Sequence, residues 1–301
     1  MAGEAQTAEA WQAMPAGRMW LLAFLARLRH HPLGVLGLIG VVLFVVMAVF
    51  GGWIAPCSPT EQSSLIMTSP SLAHPFGTDG LGRDVLSRVI AATSIELRVG
   101  LASVFAGVAL ATVLGLLSGY LGGAIDAITQ RVVDAWLAFP PLILLLLMTS
   151  ALTVSARSLI VALTLGIIPG TSRVVRGAVM AEKNNAYVEA ARSIGASRRR
   201  IMLRHILPQI VAPIIVIISI MIPVIALLGA ALSFLGLGLP VGQVSWGGDL
   251  GGDALEYFTH APWMAIFPGA ALSLYVLSFN MLGDAIRDIL DPRLRGSAAM
   301  R

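Results

Sequence analysis

Residues 184–208 read NNAYVEAARSIGASRRRIMLRHILP, and the topology of the whole chain turns on this stretch. Locally it spells two short helices. Ala186–Ile194 is a run of good helix formers ended by Gly195, which suits a C-terminal cap. Ser197 can cap a second helix that is stopped or kinked at Pro208. The first helix sets Glu189 beside Ala190 and Ala191, one charge next to flat, small surface. Two readings stay open from the residues alone. The helix is a docking knob for a protein partner, or it is a surface helix held to anionic lipid by Arg198–Arg200 at roughly 1 kcal/mol per charge.

What flanks the stretch decides which side of a membrane it occupies. The chain has 301 residues, 57% hydrophobic and 12% charged, with a mean hydropathy of +0.85. Soluble globular chains run at roughly 45–50% apolar and about 25% charged. Too little polar surface remains for two water-soluble domains or for intrinsic disorder, so the chain is an integral membrane protein. The pI of 9.8 does not point to nucleic acid, because the net charge is only +4 and one basic cluster dominates it. No cleavable signal peptide is expected, since the first long apolar run starts near Leu33 without a clean small-residue cleavage site after it.

A span needs about 20 largely apolar residues. Leu33–Ala55, Val99–Leu121, Ala135–Leu152, Gln209–Leu239 and Met264–Leu282 qualify, the fourth of these carrying Pro213 and Pro223 as kinks or boundaries. Leu159–Ile168 is short for a crossing. Charge placement includes it. With six spans and the amino terminus inside, sixteen of the twenty basic residues fall inside: Arg18, Arg27, Arg29, Arg131, eight in 173–204, and Arg287, Arg293, Arg295 and Arg301. Only Arg83, Arg88, Arg98 and Arg157 stay outside, and the loop 240–262 has three acids and no basic residue. That is a strong positive-inside pattern. Omitting the short span would flip the carboxyl-terminal cluster outside, so the fourth helix is expected to run on past Pro169 into its arginine-bearing inner end.

The second run carries Ser103, Gly107, Ala111, Gly115, Gly119 and Gly123 at intervals of four. Such a ladder lets another helix approach closely, in this chain or another. The ladder alone does not say which.

The apolar runs restrict the chemistry. None contains an ionisable side chain, since Asp126, Asp134 and Asp284 sit at their ends, which disfavours an ion-coupled secondary carrier. His30, His31, His74, His205 and His260 fall in loops or at span edges, which disfavours a membrane hydrolase. The single lysine, Lys183, lacks a glycine-rich approach, so no Walker-type ATPase is encoded. The single cysteine, Cys57, forms no internal disulfide and reads as an inert loop thiol. Gly247-Gly248-Asp249 and Gly251-Gly252-Asp253 faintly resemble calcium-binding repeats without their periodic apolar partner, and read as a flexible outer loop. No metal site is expected.

Glu189-Ala190-Ala191, three residues, Gly195, and then Leu207-Pro208 resemble the EAA loop of permease subunits in binding-protein-dependent ABC importers. His205 stands where the general pattern has isoleucine, a departure similar to the peptide-transporter branch. HPFGTDGLGRDVLSR at 74–88 resembles that branch's element before the second span, and FNMLGDAIRDILDPR at 279–293 its terminal signature. The likeness runs from about residue 30 to 295 and is to the C-type permease of dipeptide and oligopeptide importers.

The resemblance implies an all-α type I ABC importer permease (MetI-like) fold with six transmembrane helices in a bacterial inner membrane, both termini cytoplasmic. It divides the chain into a tail (1–32), a first helix and outer loop (33–95), a five-helix core with the coupling loop 173–208 (96–292), and a second tail (293–301). It implies a B-type permease partner, an extracytoplasmic binding protein and two ABC ATPase subunits that bind ATP and magnesium, with no cofactor in this chain. Glu189, Ala190, Ala191, Gly195, Leu207 and Pro208 are then the ATPase-coupling residues. Gly77, Thr78, Asp79, Gly82, Arg83 and Asp84 form the outer motif, as a turn with a capped helix or as a substrate contact. The resemblance implies half of a translocation pathway for dipeptides or oligopeptides; nickel and glutathione importers share these motifs and are the alternative cargoes.

Overall fold

The computed structural model describes Ala26, residues 28–240 and residues 242–290. Arg18 and Arg27 of the amino tail lie outside the described residues, as do Arg293, Arg295, Arg301 and the Asp291-Pro292-Arg293 end of the terminal signature. Among the described residues every regular element is helical, apart from one isolated bridge between Thr78 and Asp84.

The helices are α1 (Pro32–Ile54), α2 (Val85–Leu121), α3 (Gly123–Leu137), α4 (Pro141–Ala151), α5 (Ala156–Glu182), α6 (Ala186–Ser193), α7 (Arg198–Ile201), α8 (Val211–Phe234), α9 (Trp246–Leu250), α10 (Asp253–Glu256) and α11 (Trp263–Leu290). Five of them (α1, α2, α5, α8 and α11) are long and apolar enough to cross a membrane. A sixth candidate arises only when α3 and α4, which meet at 90° across a short break, are taken together. The expectation of a continuous third span over Ala135–Leu152 is therefore corrected. Phe139-Pro140-Pro141 explains the break, because a residue before proline is disfavoured in the α region and a proline supplies no N–H to the preceding turn. Pro141 then starts α4, where a missing N–H costs nothing.

The short fourth run does extend past Pro169, as α5 continues for 27 residues to Glu182. Ser155 caps its start by accepting from the Ser158 N–H at 3.1 Å. α2 is longer than its apolar run. At 37 residues it measures roughly 55 Å, well beyond the hydrocarbon thickness of about 30 Å, and its first turns belong to the outer motif. The division drawn at 95/96 thus falls inside one helix.

The small-residue ladder faces α5 of the same chain. A Cβ on Gly107 would lie 3.1 Å from the Thr164 carbonyl, one on Gly115 2.7 Å from the Ser172 carbonyl, and one on Gly119 3.0 Å from the Arg176 carbonyl. Ala111 between them is fully buried. The last rung is corrected: α2 ends at Leu121, and Gly122 and Gly123, with φ of 67° and 57°, turn the chain into α3. Close backbone approach gives dispersion contacts and weak polar ones their full value in a lipid setting. A second close contact joins α1 to α11, where Gly37 lies against the backbone of Ser278 and Leu282.

The outer loop 240–262 is not a slack connection. Trp246 is fully buried, its indole N–H donates to the Val89 carbonyl at 3.0 Å, and its ring packs edge-on against Phe44 and Tyr275. A Cβ on Gly247 would fall 2.6 Å from Ala230 Cα, so that glycine permits α9 to sit on α8. Gly247 and Gly251 serve packing, while Gly242 and Gly252, with φ of 89° and 51°, meet nothing within 4 Å.

Candidate functional site

Two places gather the residues that the sequence singled out. The first is the inner surface around α6. The helix ends as expected at Gly195, whose φ is 81°. Ala196 N–H donates to the Ala191 carbonyl and Gly195 N–H to the Arg192 carbonyl, both at 3.0 Å, which is the Schellman arrangement. Ser197 caps the next helix through the Arg200 N–H at 3.3 Å. Leu207 N–H reaches back five residues to the Met202 carbonyl at 2.8 Å, a widened turn. Pro208 accounts for it, since its ring would clash with the Arg204 carbonyl in an ordinary α turn.

These bonds fix which face α6 shows. Val188 and Ala191 are buried in the core with Ile201 and Ile206. Glu189 and Ala190 are exposed. Ala191 is therefore corrected from a surface residue to an anchor, because the helix docks on that side. Leu207 is half-buried against the core, while Pro208 is exposed and shapes the turn. The exposed face contains a residue the sequence did not mark: Ile194, 86% exposed at the helix end. Its place between Ser193 and Gly195 gives only the signal of a C-cap, and eight residues are too few for a readable period. Tyr187 donates from Oη to Glu182 Oε2 at 2.6 Å, tying α6 to the end of α5. Partial burial first, and the Glu182 carboxylate second, push the Tyr187 phenol up to about 12, so it stays a donor.

Not all of the inner positive charge is available to a partner. Arg176 makes a two-pronged contact with Asp126, Nε to Oδ1 at 2.6 Å and Nη2 to Oδ2 at 2.5 Å. Arg173 pairs with Asp134, and Lys183 Nζ donates to the Gly119 carbonyl at 2.9 Å. These three hold α3 and α2 to α5. Arg192, Arg198, Arg199, Arg200 and Arg204 are exposed and form no ion pair among the described residues.

The second place is the outer motif, and it is a clasp. Gly77 and Gly82 adopt φ of 73° and 71°, and a Cβ on Gly77 would lie 2.6 Å from the Thr68 carbonyl. Thr78 is fully buried; its hydroxyl accepts from Thr68 N–H at 2.8 Å and donates to the Leu65 carbonyl. Asp79 accepts from the N–H groups of Leu81 and Arg83, each at 2.9 Å, and from Arg83 Nε at 2.6 Å. Asp84 caps α2 through Ser87 N–H at 2.8 Å and pairs with His74 Nδ1 at 2.9 Å. Trp263 closes the clasp from α11, its indole donating to the Thr78 carbonyl at 3.1 Å. All six motif residues are thus engaged within the chain. Arg88, also buried, donates to the Pro59 carbonyl at 3.1 Å and pairs with Asp249 of the outer loop, a partner no local pattern announces.

Cys57 lies beside the clasp, where burial first and then the Asp84 and Glu61 carboxylates raise its thiol above the usual value, disfavouring the reactive thiolate. Glu96 is buried within α2, just outside the apolar run that begins at Val99. Among the described residues no group of three or more His, Cys, Asp or Glu side chains is placed to hold a metal ion.

Comparison with known proteins identifies the family. Residues 111–296 match the family described as the binding-protein-dependent transport system inner membrane component. Residues 19–75 match the N-terminal transmembrane domain of oligopeptide transport permease C. The chain is 40% identical over 275 residues to the glutathione transport system permease protein GsiD of Escherichia coli O1:K1 / APEC, covering 91% of this chain and 90% of that protein. The same values hold for the protein of that name from Shigella boydii serotype 4, and the one from Shigella dysenteriae serotype 1 is 39% identical over the same share. A solved structure of the MetNI methionine ABC transporter in inward-facing conformations is similar with a TM-score of 0.55 at 18% identity, covering 68% of this chain and 96% of that one. At that identity it speaks to the fold alone.

Proposed function

Because this chain belongs to the binding-protein-dependent transport system inner membrane components, as a permease of the oligopeptide C type, we propose that it forms half of a pathway for glutathione-sized peptides. At the coarser level it is a multi-pass inner-membrane permease subunit of an oligopeptide-family ABC importer and is not itself catalytic, a role that implies ATPase and binding-protein partners. The finer reading takes glutathione ahead of ordinary dipeptides, oligopeptides or nickel. It is supported by relatives that share 40% of their residues with this chain over nine-tenths of their length and carry glutathione in their names.

Coupling is assigned to α6. The observation that carries it is a short helix pinned from behind by Val188 and Ala191 and stopped by Gly195, with Glu189, Ala190 and Ile194 facing outward. Such a knob, seated in a groove of a nucleotide-hydrolysing subunit, transmits rigid-body motion because its own shape is fixed by hydrogen bonds. Two ATPase subunits and a second permease of B type complete the assembly, and ATP with magnesium binds on the ATPases.

The deciding experiment is uptake of labelled glutathione, dialanine, an oligopeptide and nickel by cells with and without this chain, alongside ligand binding by the cognate binding protein. Glutathione uptake that disappears with the chain supports the reading. Loss of dipeptide or nickel uptake with glutathione uptake intact moves the cargo to that class.

A further inference from the structure

A cavity of about 480 Å³ opens at the outer end, between the motif loop, the carboxyl end of α8, the outer loop and the first turns of α11. That is within the usual size range of small-ligand sites, roughly 300–1,000 Å³. Its charged lining is Asp79, Arg83, Arg88, Asp249 and Asp253, against an apolar wall that includes Leu239. The charges do not balance. Asp79 is occupied by Arg83 and by two backbone N–H groups. Arg88 is divided among the Pro59 carbonyl, Asp249 Oδ1 and, at 3.8 Å from Nε, Asp79 Oδ2.

What remains is negative. Asp249 Oδ2 is buried and has no hydrogen-bond partner, in a side chain only 13% exposed. Asp253 forms no ion pair among the described residues. Burial raises the Asp249 carboxyl above its ordinary value even with the Arg88 and Arg83 guanidiniums nearby. A carboxylate oxygen left without a donor is costly, and a charged donor is the strongest remedy. The torsion that turns the Asp carboxylate plane is soft, so a small turn presents Oδ2 to the cavity while Oδ1 stays on Arg88.

We propose that this cavity is a transit subsite for the free α-ammonium group of the cargo. Asp249 receives the ammonium, Asp253 completes the negative rim, and the apolar wall takes the adjoining chain. The proposal rests on the peptide reading above and specifies which end of the peptide this subunit grips. It also requires that a peptide blocked at its amino group lose that grip.

The test uses the permease–ATPase complex with its partner permease in nanodiscs, probed with glutathione and N-acetylglutathione. Wild type is expected to bind glutathione at least tenfold more tightly than the acetylated compound. Asp249→Asn, which keeps an acceptor for Arg88 and removes the charge, is expected to erase that difference. Equal binding of the two compounds by wild type, or a preference that outlives Asp249→Asn, overturns the subsite. If the variant does not assemble, the wild-type comparison of the two ligands decides alone. Dialanine and N-acetyldialanine form a second pair that separates the two proposals. An amine preference there without glutathione binding keeps the subsite and removes glutathione as cargo. Cellular glutathione uptake with no amine preference does the reverse.

Discussion

Single residues set the shape of both candidate surfaces, and Gly195 is the clearest case. Its φ of 81° is open to glycine, while a Cβ there would meet nothing within 4 Å. The cost of a side chain is therefore conformational, about 1–2 kcal/mol. Gly195→Val is expected to stop uptake and reduce the ATPase that copurifies, with the amount of chain in the membrane fraction unchanged; Gly195→Asn, which tolerates this region better, should retain most of both. Ile194 tests the surface itself. Ile194→Asp, at a position 86% exposed, should leave thermal stability within about 0.5 kcal/mol and weaken ATPase association several-fold. Unchanged copurification would remove Ile194 from the docking face. The exposure of Glu189 and Ala190 was legible in the sequence. The inward turn of Ala191 was not, because the phase of an eight-residue helix depends on what it rests against.

At the level of elements, the α2–α5 contact shows how far spacing alone can be read. The interval of four placed Gly107, Ala111, Gly115 and Gly119 on one face, and the structure brings that face against α5. The ladder could not name its partner, nor say that α2 stops before Gly123. Gly115→Ala places a methyl 2.7 Å from the Ser172 carbonyl and 2.8 Å from Val175 Cβ, an overpacking that should cost about 1–3 kcal/mol. Gly177→Ala on α5 meets nothing within 4 Å and relieves a helical glycine, so it should be neutral or stabilising by up to about 1 kcal/mol. Thermal unfolding of the two variants in the assembled complex should separate them clearly. The break between α3 and α4 was written in Phe139-Pro140-Pro141, yet a hydropathy window averages across such a break and reports one span. Local chemistry was present, but the window was the wrong ruler.

Across the whole molecule, two indoles and one arginine fasten the outer face. Trp246 bonds the Val89 carbonyl, Trp263 bonds the Thr78 carbonyl, and Arg88 joins the clasp to Asp249. Trp246→Phe removes one of these bonds and part of the edge-on contact with Phe44 and Tyr275, and should destabilise the complex by about 1–3 kcal/mol. A thermal midpoint equal to wild type would show that the outer loop is held elsewhere. On the inner face, Arg173, Arg176 and Lys183 serve the chain's own packing, which leaves Arg192, Arg198, Arg199, Arg200 and Arg204 to meet lipid or a motor subunit.

The sequence by itself determined the class of protein, the five long apolar helices that could cross a membrane, and the helix break at Gly195. Those properties depend on quantities readable along the chain: composition, apolar length and the backbone freedom of a glycine. The tertiary structure alone decided which charges are used internally and which remain for a ligand or partner. Arg173 meets Asp134 across 39 positions, Arg176 meets Asp126 across 50, and Arg88 meets Asp249 across 161. Ion pairing depends on separation in space and on the loss of water around both groups. Neither is a function of distance along the chain, so the half-paired carboxylate of Asp249 came into view only with the fold.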